Sequence, residues 1–76
     1  MIRGLITVDP KVCHGKPCIR GTRVMVSNIL IQLAGGYGFD QIKEGYPELT
    51  DEHIKAAIEY AAHLVEDEDV FLVPAE

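Results

Sequence analysis

The pattern of apolar and polar positions changes about one third of the way along the chain. Up to residue 25, apolar residues come in short runs rich in β-branched side chains, interrupted by glycine and proline. From residue 26, apolar residues recur every three or four positions, which is typical of helices with one buried face. The sequence therefore predicts a short β/turn segment followed by a helical core.

The first segment is predicted to hold two short strands. Residues 5–8 are Leu-Ile-Thr-Val and precede Asp9-Pro10, a turn signal, so they form the first strand. The glycines and Pro17 favour a loop between His14 and Gly21, which leaves residues 22–25 as the second candidate strand. Two such strands form a hairpin that is marginal alone, and pairing with a second copy of the chain would stabilise it.

Two helices are predicted in the next twenty residues. The first has Ser27 or Asn28 as its N-cap and ends at the glycine pair at 35–36. Its buried stripe consists of Val26, Ile29, Leu30 and Leu33. The second helix runs from about residue 40 to 44 or 45, and Pro47 prevents it from continuing.

The third helix has the clearest signals. Thr50 is its predicted N-cap, and Asp51 and Glu52 occupy the first turn, where the helix dipole favours acids. The apolar arc predicted to face the core consists of Ile54, Ala57, Ile58, Ala61 and Val65, and the opposite side carries Glu52, Lys55, Glu59 and His63. The short break between the second and third helices matches a helix-turn-helix, whose second helix would contact DNA.

The size of the chain predicts one domain with a small aliphatic core. The 76 residues divide into a basic β/turn segment (1–25), a three-helix core (26–65) and an acidic-apolar tail (66–76). A domain of this size buries only about 60% of its unfolded surface, so we expect a homodimer formed through the N-terminal strands. We also expect a cytoplasmic protein with reduced thiols and no membrane contact, because no leader or long apolar run is found.

The charge is divided unevenly along the chain. The net charge is −5, which argues against nonspecific binding to nucleic acid. Five of the seven basic residues nevertheless lie in residues 1–25 with Asp9 as the one acid, whereas the remainder carries two basic residues and eleven acids. The sequence therefore predicts two surfaces with different partners.

The basic residues are the best candidates for contacts with phosphate. In an extended segment Arg20 and Arg23 would point to opposite faces, and the alternative is that such cations are solvated or paired with acids of the helical core. Helix-turn-helix geometry adds residues at the start of the third helix. The candidate nucleic-acid contacts are Lys11, Lys16, Arg20, Arg23, Thr50, His53 and Lys55.

Metal binding and catalysis have weaker support. Cys13, His14 and Cys18 do not show the paired spacing of zinc ligands, so one partly buried thiol and one incidental thiol are the favoured interpretation. A Cys-His nucleophile pair lacks a third orienting group, and Pro17 follows Lys16 where a phosphate-binding loop needs Ser or Thr. We therefore expect no metal, no cofactor, no small-molecule substrate and no enzymatic activity.

Several stretches of the chain resemble a known family. The segments HGKPCIRGTRVMV (14–26), ILIQLAGG (29–36) and QIKEGYPELTDEHIKAAIEYAA (41–62) closely resemble the prokaryotic family catalogued as domain of unknown function 433. The resemblance implies a homeodomain-like helix-turn-helix with a short β segment in front. It also implies a VapB-like antitoxin that neutralises a PIN-domain ribonuclease and binds its own operator DNA.

The chain departs from that family in two places. Phe39 stands where such families often place a Ser or Thr helix cap, and the tail from Glu66 onward lies outside the likeness. The apolar residues 70–73 of that tail are either a docking segment or a strand packed on the first strand. We expect a type II antitoxin that binds DNA, and the alternative is a protein-interaction module without DNA binding.

Overall fold

The computed structural model describes residues 4–67, with the side chain of Asp67 left out. The elements in chain order are β1 (Ile6–Thr7), a short 3-10 turn (Cys13–Gly15), β2 (Cys18–Ile19), α1 (Val26–Ala34), α2 (Phe39–Gly45) and α3 (Asp51–Asp67). The predicted fold, a three-helix core behind a short N-terminal hairpin, is thereby confirmed. Within residues 4–67 no helix is both long and apolar enough to cross a membrane. The tail strand considered at 70–73 lies outside the described residues.

The hairpin forms earlier in the chain than the sequence predicts. β1 pairs antiparallel with β2, so that Ile6 lies opposite Ile19 and Thr7 opposite Cys18. The second strand is therefore inside the predicted loop, and residues 22–25 are not that strand. They fold back along β2 instead, with one bridge between Cys18 and Met25.

α1 begins one or two residues before the predicted caps. Met25 is the N-cap, in extended backbone geometry, so the prediction of Ser27 or Asn28 is wrong. The reason lies in the preceding loop, because the Pro17 carbonyl accepts the Val26 N–H at 3.0 Å and satisfies one of the unpaired amides of the first turn. The predicted end at the glycine pair is confirmed, since Gly35 is the C-cap and Gly36 has a φ of +95°.

α2 and α3 begin with different caps. Phe39 opens α2 after Gly38, whose N–H donates to Oε1 of Gln41 at 2.9 Å, so that a glutamine side chain supports the start that lacks a Ser or Thr. Thr50 precedes α3 as predicted, and its backbone N–H donates to Nδ1 of His53 at 3.0 Å. This is the reciprocal bond of a capping box, made by histidine instead of glutamate.

The core is formed by one isoleucine from each of four elements. Ile19 of β2, Ile29 of α1, Ile42 of α2 and Ile54 of α3 are each fully buried. Full burial of such a side chain contributes about 1.5–3 kcal/mol, so these contacts hold the hairpin and the three helices together. The other members of the buried cluster are Val24, Val26, Leu49 and Ala57.

The apolar arc of α3 is only partly covered. Ile54 and Ala57 are buried as predicted, but Ile58 is 41% exposed and Val65 is 66% exposed. Ala56, outside the predicted arc, is buried instead. The buried face of α3 is thus rotated away from the predicted one, and part of its apolar surface faces solvent.

Candidate functional site

The first candidate site is the turn that follows β2, residues 20–23 (Arg-Gly-Thr-Arg), called here the basic turn. The Ile19 N–H donates to the Val24 carbonyl at 2.9 Å, and the Thr22 N–H donates to the Ile19 carbonyl at 3.0 Å. Gly21 has a φ of +81°, in the left-handed region that side chains with a Cβ rarely adopt. The chain therefore reverses direction within four residues.

Thr22 fixes this turn through its side chain. Its hydroxyl donates to the Ile19 carbonyl at 2.9 Å and accepts the Val24 N–H at 3.0 Å. Both bonds lie within residues 19–24, so the turn holds its shape without a ligand. Sequence reasoning did not single out Thr22, although a threonine directly after a turn glycine is the signal that could have identified it.

The turn brings the two arginines to the same place. Arg20 and Arg23 both line one open cavity of about 390 Å³, whereas an extended segment would direct them to opposite faces. The cause is the tight reversal at Gly21, which replaces the extended strand that the expectation assumed. The other lining residues are Thr7, Asp9, Val12, Gly21 and Thr22.

The guanidinium of Arg20 is anchored on one side. Its Nε donates to the Gly4 carbonyl at 3.0 Å, which ties the turn to the residue two positions before β1. Within residues 4–67 its terminal N–H groups make no other hydrogen bond, and paired N–H groups of arginine match the geometry of phosphate oxygens. Arg20 is thus oriented by the fold while keeping donors for a ligand.

The four cations of residues 11–23 form no ion pair with an acid of residues 4–67. Both ion pairs within residues 4–67 involve Lys43, and none involves Lys11, Lys16, Arg20 or Arg23. Asp9 is the one carboxylate that lines the cavity, and its Oδ1 accepts the Lys11 backbone N–H at 2.9 Å. The alternative that acids of the helical core pair with these cations finds no support in the described part of the chain.

The candidate residues at the start of α3 lie apart from this cavity. The Thr50 hydroxyl accepts the His53 N–H at 3.4 Å, and Nδ1 of His53 accepts the Thr50 N–H, so both side chains are engaged in the helix cap. Lys55 is exposed on α3. None of the three lines the cavity that holds Arg20 and Arg23.

The first turn of α3 is acidic and joined to α2 by an ion pair. Nζ of Lys43 lies 2.7 Å from Oδ1 of Asp51 and 3.6 Å from Oδ1 of Asp40. The hydrogen bond with Asp51 raises the pKa of Lys43 above its ordinary value, against the opposing effect of burial. Lys43 is thus a structural cation, and sequence reasoning assigned it no role.

Lys16 lies at a different surface. Together with Pro17 it lines an open groove of about 250 Å³ between α1 and α3. The remainder of that groove is mostly apolar and consists of Val26, Ser27, Leu30, Tyr60, Ala61 and Leu64. The structure therefore separates Lys16 from the two arginines that the sequence groups it with.

The two cysteines form hydrogen bonds with backbone carbonyls of the basic turn. Sγ of Cys13 donates to the Arg23 carbonyl at 3.4 Å, and Sγ of buried Cys18 donates to the Thr22 carbonyl at 3.8 Å. Both are free thiols, and within residues 4–67 no three potential metal ligands come together. Burial raises the pKa of the Cys18 thiol, and the neighbouring Cys13 thiol adds to this.

The backbone beneath the turn adopts an uncommon conformation. Cys13 and His14 have φ values of +54° and +56°, followed by Gly15 at +79°, so three consecutive residues are left-handed. Each non-glycine residue in this region costs about 1–2 kcal/mol. The contact of Cys13 with the Arg23 carbonyl therefore depends on a strained segment that the rest of the fold must hold in place.

Comparison with known proteins identifies a family and similar chains. The family described as "Protein of unknown function (DUF433)" matches residues 6–61. An uncharacterized protein of Sinorhizobium fredii, y4eO, is 36% identical over 59 residues, which cover 78% of this chain and 27% of the relative. The crystal structure of a DUF433 member from Anabaena variabilis superposes with a TM-score of 0.77 at 32% identity, covering 87% of this chain and 65% of that one.

Proposed function

The chain belongs to the DUF433 family, and from this premise we propose that it is the antitoxin of a type II toxin–antitoxin pair. In this proposal the basic turn contacts the phosphates of operator DNA, and the acidic side of α3 contacts a PIN-domain ribonuclease. In this proposal the chain binds its partners and catalyses no reaction. The resemblance described above supplies the partners, and the described residues supply the surfaces.

The observation that carries the proposal is the pair of arginines in one open cavity. Arg20 and Arg23 lack carboxylate partners within residues 4–67, and Thr22 holds them in a preformed turn. Most contacts between proteins and DNA go to phosphate oxygens, and arginine donors are well suited to them. Lys11, also exposed and outside the ion pairs, adds to the same positive segment.

α3 has a secondary part in DNA binding. Lys55 is exposed and can reach a phosphate, while Thr50 and Nδ1 of His53 are occupied in the cap. Nε2 of His53 is the remaining ring nitrogen for a base or phosphate contact. Because Asp51 and Glu52 occupy the first turn, the positive segment must supply most of the attraction to DNA.

The toxin would bind an acidic stripe on α3. Glu52, Glu59 and Glu66 follow one another at intervals of seven residues, and all three are exposed. Residues seven apart lie on the same side of a helix, so these carboxylates form one line along α3. A nuclease that binds RNA presents cations of its own, which this stripe would engage and screen from substrate.

A homodimer belongs to the same proposal. Two copies related by a two-fold axis present two basic turns, which match the two half-sites of a palindromic operator. The small core, with its fully buried isoleucines drawn from short elements, gives a further reason for a second copy to stabilise the fold.

The second candidate function is a protein-interaction module without DNA binding. The observation that favours it is the acidic start of α3, where Asp51 and Glu52 precede the residues that a reading helix would insert into a groove. This candidate keeps the acidic stripe and the partner protein but assigns no ligand to the basic turn.

The decisive experiment measures binding to a labelled duplex from the region upstream of the gene. The test variant is Arg20→Gln/Arg23→Gln, and the matched control is Lys43→Gln, whose cation is already paired with Asp51. We expect the double variant to bind about tenfold or more weakly, since two cations no longer meet phosphate, and the control to bind like the wild type. Equal binding by all three proteins would refute the role of the basic turn.

A second experiment tests the acidic stripe of α3 as the surface that binds the ribonuclease. The product of the neighbouring gene is assayed for RNA cleavage with the wild type, with Glu59→Lys, and with Glu48→Lys, an exposed control in the α2–α3 connection. We expect inhibition by the wild type and by Glu48→Lys, and weakened inhibition by Glu59→Lys. Inhibition together with no affinity for any DNA would establish the second candidate instead.

A further inference from the structure

α3 carries an exposed apolar ridge that has no cover within residues 4–67. The ridge consists of Ile58, Ala61, Ala62 and Val65, with Ile58 41% and Val65 66% exposed. Ala62 is exposed and Ala61 is half-buried. These are largely the residues that periodicity assigns to the core, so the helix presents a core-like face to solvent.

The ridge adjoins the groove between α1 and α3. Ala61 belongs to both, and Leu64, 45% exposed, lines the groove together with Leu30. An open volume of about 250 Å³ is enough for aliphatic side chains from a facing helix to enter. The ridge and the groove therefore form one apolar surface with both a projection and a depression, as self-association requires.

The spacing along α3 suits contact with another helix. Residues 58, 61 and 65 are separated by three and four positions, the spacing of the seam of a coiled coil. Lys55, Ala62 and Leu64 flank that seam, whereas Glu59 and Glu66 lie one step further toward solvent. The alanines at the centre allow the two helix backbones to approach closely, and no carboxylate of residues 55–65 faces the seam.

We propose that the ridge packs antiparallel against the same ridge of a second copy of this chain. In an antiparallel pair Lys55 of each copy lies near the acidic C-terminal end of the other α3, which carries Glu66. A parallel pair would instead place Lys55 beside Lys55 and Glu66 beside Glu66 of the other copy, and like charges repel. The charges therefore select one orientation, and the contact closes with two-fold symmetry.

This interface rests on the homodimer proposed above and requires neither DNA nor a toxin. Because it engages Lys55 and Glu66, the basic turn supplies the phosphate contacts of the dimer, and Glu52 and Glu59 supply the toxin contacts. It also differs from a dimer formed through the N-terminal strands, because Val8, 56% exposed, lies just after β1 and is not part of the ridge. The two routes to a dimer can thus be separated with single substitutions at exposed valines.

The test is the molar mass of the full chain by sedimentation equilibrium, with Val65→Asp as the test variant and Val8→Asp as the matched control. We expect the wild type and Val8→Asp to have twice the monomer mass of 8.4 kDa. Val65→Asp should raise the dissociation constant about a hundredfold or more, because an unpaired carboxylate would be buried. Far-UV circular dichroism checks that both variants keep their helices.

Each outcome decides between these proposals. A monomeric wild type overturns the homodimer and the interface together, but leaves DNA binding and ribonuclease inhibition standing. A dimer that Val65→Asp preserves and Val8→Asp disrupts places the contact at the strands and overturns the ridge interface. Lys55→Glu tests the orientation. An antiparallel pair predicts that this variant has a dissociation constant about threefold or more higher at low salt, and an unchanged dissociation constant contradicts the antiparallel pair.

Discussion

Gly21 controls the basic turn through its backbone conformation. An added Cβ at this position would meet no atom within 4 Å, so space is not the constraint. The constraint is the φ of +81°, which every residue with a side chain adopts at a cost. The direction in which Arg20 and Arg23 point therefore depends on one residue that has no side chain of its own.

The first prediction concerns this glycine. Gly21→Ala should lower the free energy of unfolding by about 1–2 kcal/mol, because alanine is strained in the left-handed region. Gly45→Ala is the matched control, since Gly45 also has open space around it but ends α2 with a φ outside that region. The control should be neutral or stabilising by up to about 1 kcal/mol. Urea unfolding compares the two, and equal effects would refute the conformational explanation.

A pH prediction follows from Cys18. Burial and the neighbouring Cys13 thiol raise the pKa of Cys18 above its ordinary value of 9.0, so the folded chain keeps this thiol neutral at a pH where it ionises in the unfolded chain. The neutral Cys18 thiol contributes its full stabilisation below pH 9.0. This stabilisation is lost as the pH rises through the raised pKa of the folded chain.

The measurement is the free energy of unfolding as a function of pH. We expect the wild type to lose stability as the pH rises above about 9, and Cys18→Ala to be less stable at neutral pH but flatter across that interval. A decline of the same steepness in Cys18→Ala would show that another group is responsible. Lys43 loses its proton and its charge only at higher pH, because its pKa is also raised, so the comparison is made below that range.

Residue-level features of the site were partly predictable. The basic residues and the glycines of the turn are visible in the sequence, and so is the expectation that they contact phosphate. Their position around one cavity was not predictable, because it depends on a reversal at Gly21, whereas the expectation for Arg20 and Arg23 assumed extended backbone. The role of Thr22 depends on the same reversal.

At the scale of elements, α3 depends on a cap made by its first residues. The Thr50 hydroxyl and Nδ1 of His53 each accept a backbone N–H, and these bonds fix the point at which the helix begins. The Lys43–Asp51 ion pair joins α2 to the first turn of α3, next to this cap.

The prediction at this scale is a loss of stability when the cap is removed. Thr50→Ala should cost about 1 kcal/mol, which for a domain of this size lowers the unfolding temperature by about 4–8 °C. His53→Gln is the control, because glutamine supplies an acceptor at the same position of a capping box and should keep most of the stability. Thermal unfolding measures both, and a full loss with His53→Gln would contradict the cap.

The elements were more predictable than their packing. The hydrophobic period identified three helices, and glycine and threonine fixed the end of α1 and the start of α3. The covered face of α3 could not be inferred from the period, since a helix of 17 residues is about 25 Å long and the nine residues of α1 span only about 14 Å. The short partner helix leaves Val65 near the end of α3 exposed, and the rotation of the buried face leaves Ile58 exposed next to buried Ala57.

At the scale of the whole molecule, the uneven distribution of charge along the chain corresponds to a basic surface and an acidic surface. The cations of residues 4–25 take part in no ion pair within the described chain, and the exposed acids of α3 lie on the helical side. An overall charge of −5 would repel DNA if it were spread evenly, so binding depends on this separation. The apolar ridge of α3 adds a third surface, for a second copy of the chain.

The dependence of DNA affinity on salt tests the central claim, that the basic turn binds phosphate. The logarithm of the association constant is plotted against the logarithm of the salt concentration for the wild type and for Arg20→Gln/Arg23→Gln. The account predicts a steep negative slope for the wild type, made shallower in the variant by about 0.9 for each phosphate that its side chains no longer neutralise. Two parallel lines, with the same slope in both proteins, would contradict it.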